Sequence, residues 1–367
     1  MTGAMSSAIA GLKAHMDKLN VIGNNIANVN TWGFKSSRVS FQDSLYTTSS
    51  TGSNGTATVG GRNPSQIGYG TSIGSIDLDM STGTYTATGR GLDTMIQGDG
   101  FFLVGDKLTG DNIDFSDPET LKSLTLTRVG DFTFGPDGYL VDGRGNVVYG
   151  FMNVANDADD ITQGEHLCDQ LVPIRYPLQD ADGGIRWPVL DGEGKLQNAA
   201  AAEDEQAYTK AAIDGVSIDE STGAIMVTIA GSDQPVTIGY LAIGKVTNPN
   251  GVTHTNGYYY KAEAGAGDLT ITSIGNSVAD KGVMYVNGSL NNGGQNADEN
   301  NADDLPIGMQ VQDSGTTVLN TGGLEGSKTD LATEISEMIT TQRGYQANTR
   351  IITVTDTMLE ELVNMKR

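Results

Sequence analysis

Basic side chains are scarce in this chain. Its 367 residues hold 22 lysines and arginines against 45 aspartates and glutamates, a formal charge of −23 at pH 7. Too few cations are present to build a surface that neutralises phosphates, which argues against nucleic acid as a partner. Cysteine is nearly absent: Cys168 is the one thiol, so no disulfide can close within the chain. The three histidines, His15, His166 and His254, contain no metal-spaced pair, and His166 with Cys168 has no second pair to complete a zinc site. Asp180-Ala181-Asp182-Gly183 opens like a calcium loop but lacks the later ligands and the closing glutamate. No nucleophile elbow, phosphate loop or dinucleotide fingerprint stands in its required strand–turn–helix setting. Neither a metal, nor a cofactor, nor a catalytic site is therefore expected. No apolar run reaches the roughly 18–20 residues that span a bilayer, so no membrane insertion is expected. The N-terminus also lacks the basic segment, apolar core and small-residue cleavage site of a secretory signal. Export, if it occurs, is expected by another route.

The most organised sequence lies at the two ends. From Thr329 to Met365, the positions Leu331, Ile335, Met338, Gln342, Tyr345, Thr349, Ile352, Asp356, Leu359 and Val363 step by alternating fours and threes. That is a heptad seam on one long helix. Met5, Ile9, Leu12, Met16, Leu19, Ile22, Ile26 and Val29 form a second stripe of the same kind. Neither helix can bury its stripe alone, so the spacing predicts that the termini pair and that the rest of the chain is carried between them. Gln342, Thr349 and Asp356 put polar groups at every second seam position, which suits a role in setting register. The plainer alternative is that each helix packs on the domain it flanks.

Between the helices, 49 glycines and only nine prolines, with abundant Thr, Ser, Asn and Asp, supply turn chemistry for many short strands. The asparagines at Asn24, Asn25, Asn28 and Asn30 predict that the first helix stops near Asn28 to Asn30, and Gly33 is the natural left-handed position. Residues 47–66 are low in complexity; composition favours a flexible linker, the alternative being an extended arm. Alternation predicts strands from Gly68 to Phe151, including two around Pro136-Asp137-Gly138, and a second, more acidic β region over 151–238 with a hairpin around Ser221-Thr222-Gly223. The segment 293–304 reads as a solvated acidic loop. Residues 1–35 carry Lys13, Lys18 and Lys35 against Asp17 alone, so the acidity lies in the middle, as on a water-facing surface around a near-neutral assembling part.

Two runs carry a family resemblance. Val21-Ile22-Gly23-Asn24-Asn25-Ile26-Ala27-Asn28-Val29-Asn30-Thr31, continuing through Gly33-Phe34-Lys35, resembles the N-terminal signature of bacterial flagellar axial proteins, the rod, hook and hook-associated subunits. Gln342-Arg343-Gly344-Tyr345-Gln346-Ala347-Asn348, followed by Thr355-Asp356 and Leu359, resembles their C-terminal signature. Gln97 to Phe102 and Thr127 to Phe132 resemble segments shared across rod and hook. Phe34 to Asp43, Gly239 to Tyr260 and the presence of 151–238 look most like hook subunits.

The resemblance implies a mainly β fold with a terminal α-helical coiled coil, nested and discontinuous, with antiparallel β domains. Residues 1–30 and 327–367 would form the inner helical domain and 31–70 a linking arm turning at Gly33, Phe34 and Lys35. Residues 71–150 with 239–326 would form a middle β domain, and 151–238 an outer one. Self-assembly would run through Asn24, Asn25, Asn28, Arg343 and Asn348 together with the apolar stripes. The implied function is structural, not enzymatic: export unfolded through the flagellar secretion apparatus, then polymerisation outside the cell into the curved hook that couples rod to filament. Its partners would be further copies of itself, the rod, the hook cap, the hook–filament junction proteins and the export apparatus. Some members are crosslinked between Cys and Lys, for which Cys168 is the one candidate here; an incidental small buried residue is the plainer account. The alternatives are a distal rod or junction protein or, from another class, a secreted β-rich adhesin or carbohydrate-active protein.

Overall fold

The computed structural model describes residues 2–55, 60–106, 118–154, 166–168, 171–179, 185–190, 196–197, 209–210, 213–230, 235–272, 274, 283–286, 289–292 and 317–365. The segment 293–304, the run Asp180 to Gly183 and the side chain of Cys168 lie outside that set. The chain divides into two compact units, Met1–Met80 with Ser327–Arg367, and Ser81–Gly326.

In the first unit, α1 (Thr2–Ala27) ends one residue before Asn28, with Asn24 and Asn25 in its last turn. The Asn28 side chain donates to the Asn24 carbonyl at 3.0 Å, and Thr31 Oγ1 donates to Asn28 Oδ1 at 3.1 Å, so side chains serve the helix end. Gly33 then turns the chain at φ 64°, a value that favours glycine. The strand β1 (Ser37–Asp43) follows, then β2 (Tyr46–Ser50), β3 (Ser65–Gly68) and β4 (Thr71–Leu78). β1 pairs antiparallel with β4, Val39 opposite Ile76, and β2 pairs antiparallel with β3. Thus much of the low-complexity run is a paired hairpin stem rather than a flexible linker. Thr and Ser tolerate a pleated backbone, and Gly68 leaves room for the Tyr46 ring, which a Cβ there would meet at 3.0 Å.

On the return, the short helix α2 (Pro118–Ser123) belongs to the other unit, and α3 (Leu331–Met365) closes the first. α3 starts two residues later than its periodicity suggests, because Asp330 caps it. Asp330 Oδ1 accepts from the Ala332 N–H at 3.1 Å and Oδ2 from Thr333 Oγ1 at 2.6 Å. Those bonds, the Thr333 hydroxyl foremost, hold the Asp330 carboxyl below its usual range, as an N-cap acid should be.

In the second unit the chain enters through β5 (Tyr85–Ala87) and β6 (Thr94–Gln97) and leaves through strands Val318–Thr321 and Gly323–Glu325. β6 pairs with Val318–Thr321 and β5 with Gly323–Glu325, so entry and exit are zipped together. Next come β7 (Phe101–Gly105), β8 (Thr125–Thr127), β9 (Phe132–Phe134), β10 (Leu140–Asp142) and β11 (Val147–Val154). One antiparallel path runs Ile213–Ile218, Ala224–Ile229, Pro235–Leu241, β11, β7, β8, Tyr259–Lys261, Thr253–His254. Phe102, Phe132, Val148, Ile225 and Ile243 fill its core. β9 and β10 close around Gly138, and Ile218 faces Ile225 across the Ser221-Thr222-Gly223 turn. One described pairing is parallel, His166–Cys168 with Val283–Val286, against the antiparallel expectation.

The internal motifs have physical reasons here. Arg128 is buried, donates Nη1 to the Ile96 carbonyl at 3.2 Å and lies 5.3 Å from the Phe101 ring. Burial pushes its guanidinium down, while Glu325 and Asp99 support its charge. The Tyr259 hydroxyl donates to buried Asp142 at 2.5 Å, and Asp142 also accepts from the Arg144 and Asn146 N–H groups. That ties the 142–146 turn to the Tyr258–Tyr260 run. Gly130 packs so closely on β6 that a Cβ would lie 2.1 Å from the Thr94 carbonyl oxygen. Gly130→Ala is therefore expected to destabilise this unit by about 3 kcal/mol, read as a lower urea midpoint for near-ultraviolet dichroism.

Candidate self-assembly interface

The two terminal helices pair antiparallel within the first unit. Asn25 meets Glu334, His15 meets Gly344 and Gly11 meets Asn348, all in one register. Lys18 Nζ adds an ion pair to Glu337 at 3.0 Å, half exposed on the Glu337 side and so of small energetic weight.

The contact face coincides with the predicted seam only in part. On α3 the residues shielded by α1 and its neighbours are Glu334, Met338, Thr341, Tyr345, Asn348, Ile352 and Thr355. These also step by fours and threes: Met338, Tyr345 and Ile352 are seam positions, and Glu334, Thr341, Asn348 and Thr355 each lie one residue before one, so the stripe is rotated by roughly half of the 100° between consecutive residues. Of the expected assembly residues on α3, Met338, Tyr345, Asn348 and Ile352 are half-buried. Leu331, Ile335, Gln342, Arg343, Asp356 and Leu359 are exposed. On α1, Ile22 and Asn25 are buried and Met5, Leu12, Leu19, Ile26 and Asn28 half-buried, whereas Ile9, Met16 and Asn24 are exposed. Its closest approach to α3 is made by small residues.

Small side chains explain the rotation. A Cβ on Gly11 would fall 2.7 Å from Asn348 Nδ2, and one on Gly344 2.8 Å from the His15 ring. Each glycine is the socket for a polar side chain of the opposite helix. Thr341 and Thr355 are buried because each hydroxyl donates to the carbonyl four residues earlier, Glu337 and Ile351, both at 2.7 Å, leaving no unmet donor. A glycine inside a long helical pattern, Gly11 on α1 and Gly344 on α3, is the signal that marks this face. It is easily passed over beside a row of leucines and isoleucines.

Asn25 is the joint of the unit. Its Oδ1 accepts from the Ser37 N–H at 3.0 Å, while Nδ2 donates to the Ser37 carbonyl and to Glu334 Oε1, both at 2.9 Å. The carboxamide thus imitates a strand's peptide group against the start of β1 and still reaches α3. Burial pushes the Glu334 carboxyl up, with the Asn25 amide pulling the other way. Lys35 is buried beside the turn, and the Phe34 carbonyl accepts from the Lys328 N–H at 3.0 Å, fastening the turn to the segment that leads into α3.

What remains uncovered is apolar. Ile351, Val354, Met358, Leu362 and Met365 on α3 are exposed and step by three, four, four and three; Ile335 and Ile339 are exposed nearer its start. The unit that bears them is electrically balanced. Ten basic residues face ten acidic ones in 1–80 and 327–367, leaving 12 against 35 for Ser81–Gly326. Among the described residues no cluster of three or more His, Cys, Asp or Glu could hold a metal, and no helix is long and apolar enough to cross a membrane.

Comparison with known proteins bears on these ends. A family model described as flagellar basal body rod FlgEFG protein C-terminal matches residues 320–365, and one described as flagella basal body rod protein matches residues 5–35. The chain is 33% identical to the flagellar basal-body rod protein FlgG of Bacillus subtilis (strain 168), with all of both chains covered. It is 26% identical to the flagellar hook protein FlgE of Borreliella burgdorferi, again with both fully covered. It is also 26% identical to FlgE of Escherichia coli (strain K12), over 99% of this chain and 100% of that one.

Proposed function

We propose, for a chain that belongs to the flagellar rod and hook family, assembly into the curved tube that joins rod to filament. As a member it is a structural component of the flagellar axis. The finer reading is a hook subunit, exported unfolded through the flagellar secretion apparatus and polymerised outside the cell between the rod and the hook–filament junction.

The observation that carries this reading is the uncovered apolar row on α3. A folded unit that leaves Ile351, Val354, Met358, Leu362 and Met365 in water gains by burying them against a neighbour. A contact between different faces of identical subunits grows an open helical assembly when its rotation does not close a ring. Charge balance favours the same end: the helical unit carries no net charge to repel its neighbours, while the acidity belongs to Ser81–Gly326 and suits a water-facing surface. The inner domain of 1–30 and 327–367, the arm 31–70, and the β parts 71–150 with 239–326 and 151–238 are part of this proposal. So are the assembly roles of the terminal side chains and any crosslink through Cys168.

A second reading, a distal rod subunit, is favoured by the rod name of the relative at 33% identity. Electron microscopy of purified full-length protein beside a chain lacking 1–30 and 329–367 separates them. Curved tubes from the full chain and monomers from the truncated one support the hook, straight tubes the rod. Monomers from both chains, even with preformed seeds, overturn assembly through these helices.

A further inference from the structure

His15 lies at the middle of the helix pair, where α1, α3 and β1 meet. Its ring fills the socket at Gly344, with Cε1 and Nε2 both 2.8 Å from where a Cβ would stand. Phe41 of β1 meets it in a T-shaped contact, centroids 5.5 Å apart and ring planes at 68°. Nδ1 is buried and has no hydrogen-bond partner among the described residues. The charged groups near it in sequence on the surrounding elements are Lys13, Asp17 and Lys18 on α1, Arg38 and Asp43 on β1, and Glu337, Arg343 and Arg350 on α3. Burial is the first cause acting against an imidazolium here and Lys18 the second; Glu337 is already held by Lys18. Nothing in the slot welcomes a second ring proton.

We propose that His15 is a proton-operated latch on the terminal helix pair. The neutral ring packs between Gly344 and Phe41 and holds α1 to α3. The protonated ring, with an N–H that has no acceptor and an ammonium beside it, loosens them. The direction follows from linkage. A histidine whose charged form is disfavoured in the fold contributes its full stability above the ordinary value of 6.5, and loses it as pH falls through the lower folded value. Glu334 moves the other way, since burial raises its carboxyl above 4.5 and protonation favours the fold. Only the consequence for polymers, that they shed subunits in mild acid, rests on the assembly reading.

The test uses the full chain with His166→Gln and His254→Gln, so that one imidazole remains. Its ring resonances are followed by NMR from about pH 8 to about pH 5, beside the urea midpoint of helical dichroism. The expected midpoint lies below 6.5, with helix stability falling over the same range, and adding His15→Gln removes that fall. Subunits released from pelleted polymer should rise by about tenfold for each pH unit separating the folded and unfolded titrations. A midpoint at or above 6.5, or an equal acid loss with His15→Gln, overturns the latch. Should His15→Gln fail to fold, the single-histidine titration decides alone. Should the parent form no polymer at any pH, the assembly reading fails while the titration and the urea midpoint still judge the latch.

Discussion

Met358→Lys with Leu362→Lys is expected to leave the monomer folded and to abolish polymer. The shared register of Asn25 with Glu334, His15 with Gly344 and Gly11 with Asn348 sets Thr2 beside Thr357. α3 therefore runs on past the start of α1, and Met358 and Leu362, 50% and 45% exposed, lie beyond the stretch of α3 that α1 pairs with. Burying each against a neighbour stabilises a contact by about 2 kcal/mol. Losing both, and placing two ammonium groups there, raises the critical concentration by about a thousandfold or more. Within the monomer the change is small, about 0.5 kcal/mol, because lysine is a good helix former and a cation suits the last turns of a helix. Sedimentation should find monomer where the parent pellets, with unchanged far-ultraviolet dichroism. A double variant that still pellets at the parent's concentration would show that this row is not the contact.

The same row explains what could be read from the sequence and what could not. Apolar residues at heptad spacing announce both helices and their pairing, and they do so because those residues need burial somewhere. Periodicity does not say against whom. Ile9, Met16, Leu331, Ile335 and Leu359 keep faces open, while the two helices meet through Gly11, His15, Asn25, Glu334, Gly344 and Asn348, where contact depends on shape and hydrogen bonding. The turns around Gly33, Gly138 and Gly223 were legible because a positive φ is a local demand that glycine answers locally. Gly130 was legible only as a motif letter. Its reason, the Thr94 carbonyl on a strand more than 30 residues earlier, is a property of the packed sheet. The hairpin stem in 46–68 was obscured for a similar reason: Ser, Thr and Gly permit extended pairing as readily as they permit none.

Asn25→Leu is the sharper test of how the assembling unit is held together, because the substitution keeps the branched side-chain skeleton and removes three hydrogen bonds at a buried position. It strands the Ser37 N–H and carbonyl and leaves Glu334 without its amide donor. A buried backbone group left unmet costs about 1–3 kcal/mol, so a loss of about 4 kcal/mol is expected, enough to free the start of β1 from α1 at moderate urea. Glu334 reports the change directly. Burial already pushes its carboxyl up and the Asn25 amide opposes this, so removing the amide raises it further. Its share of stability, present below the ordinary carboxylate value of 4.5 and lost as pH rises through the folded value, then extends to higher pH. Carbon-13 titration of Glu334 should show the upward move in Asn25→Leu and a restored value in Asn25→Gln only if the longer amide still reaches it. An unmoved Glu334 in the leucine variant would mean that Asn25 fastens α1 to the arm alone. The pairing of α1 with α3 would then rest on the glycine sockets at Gly11 and Gly344, and Gly11→Ala should be the variant that parts the helices.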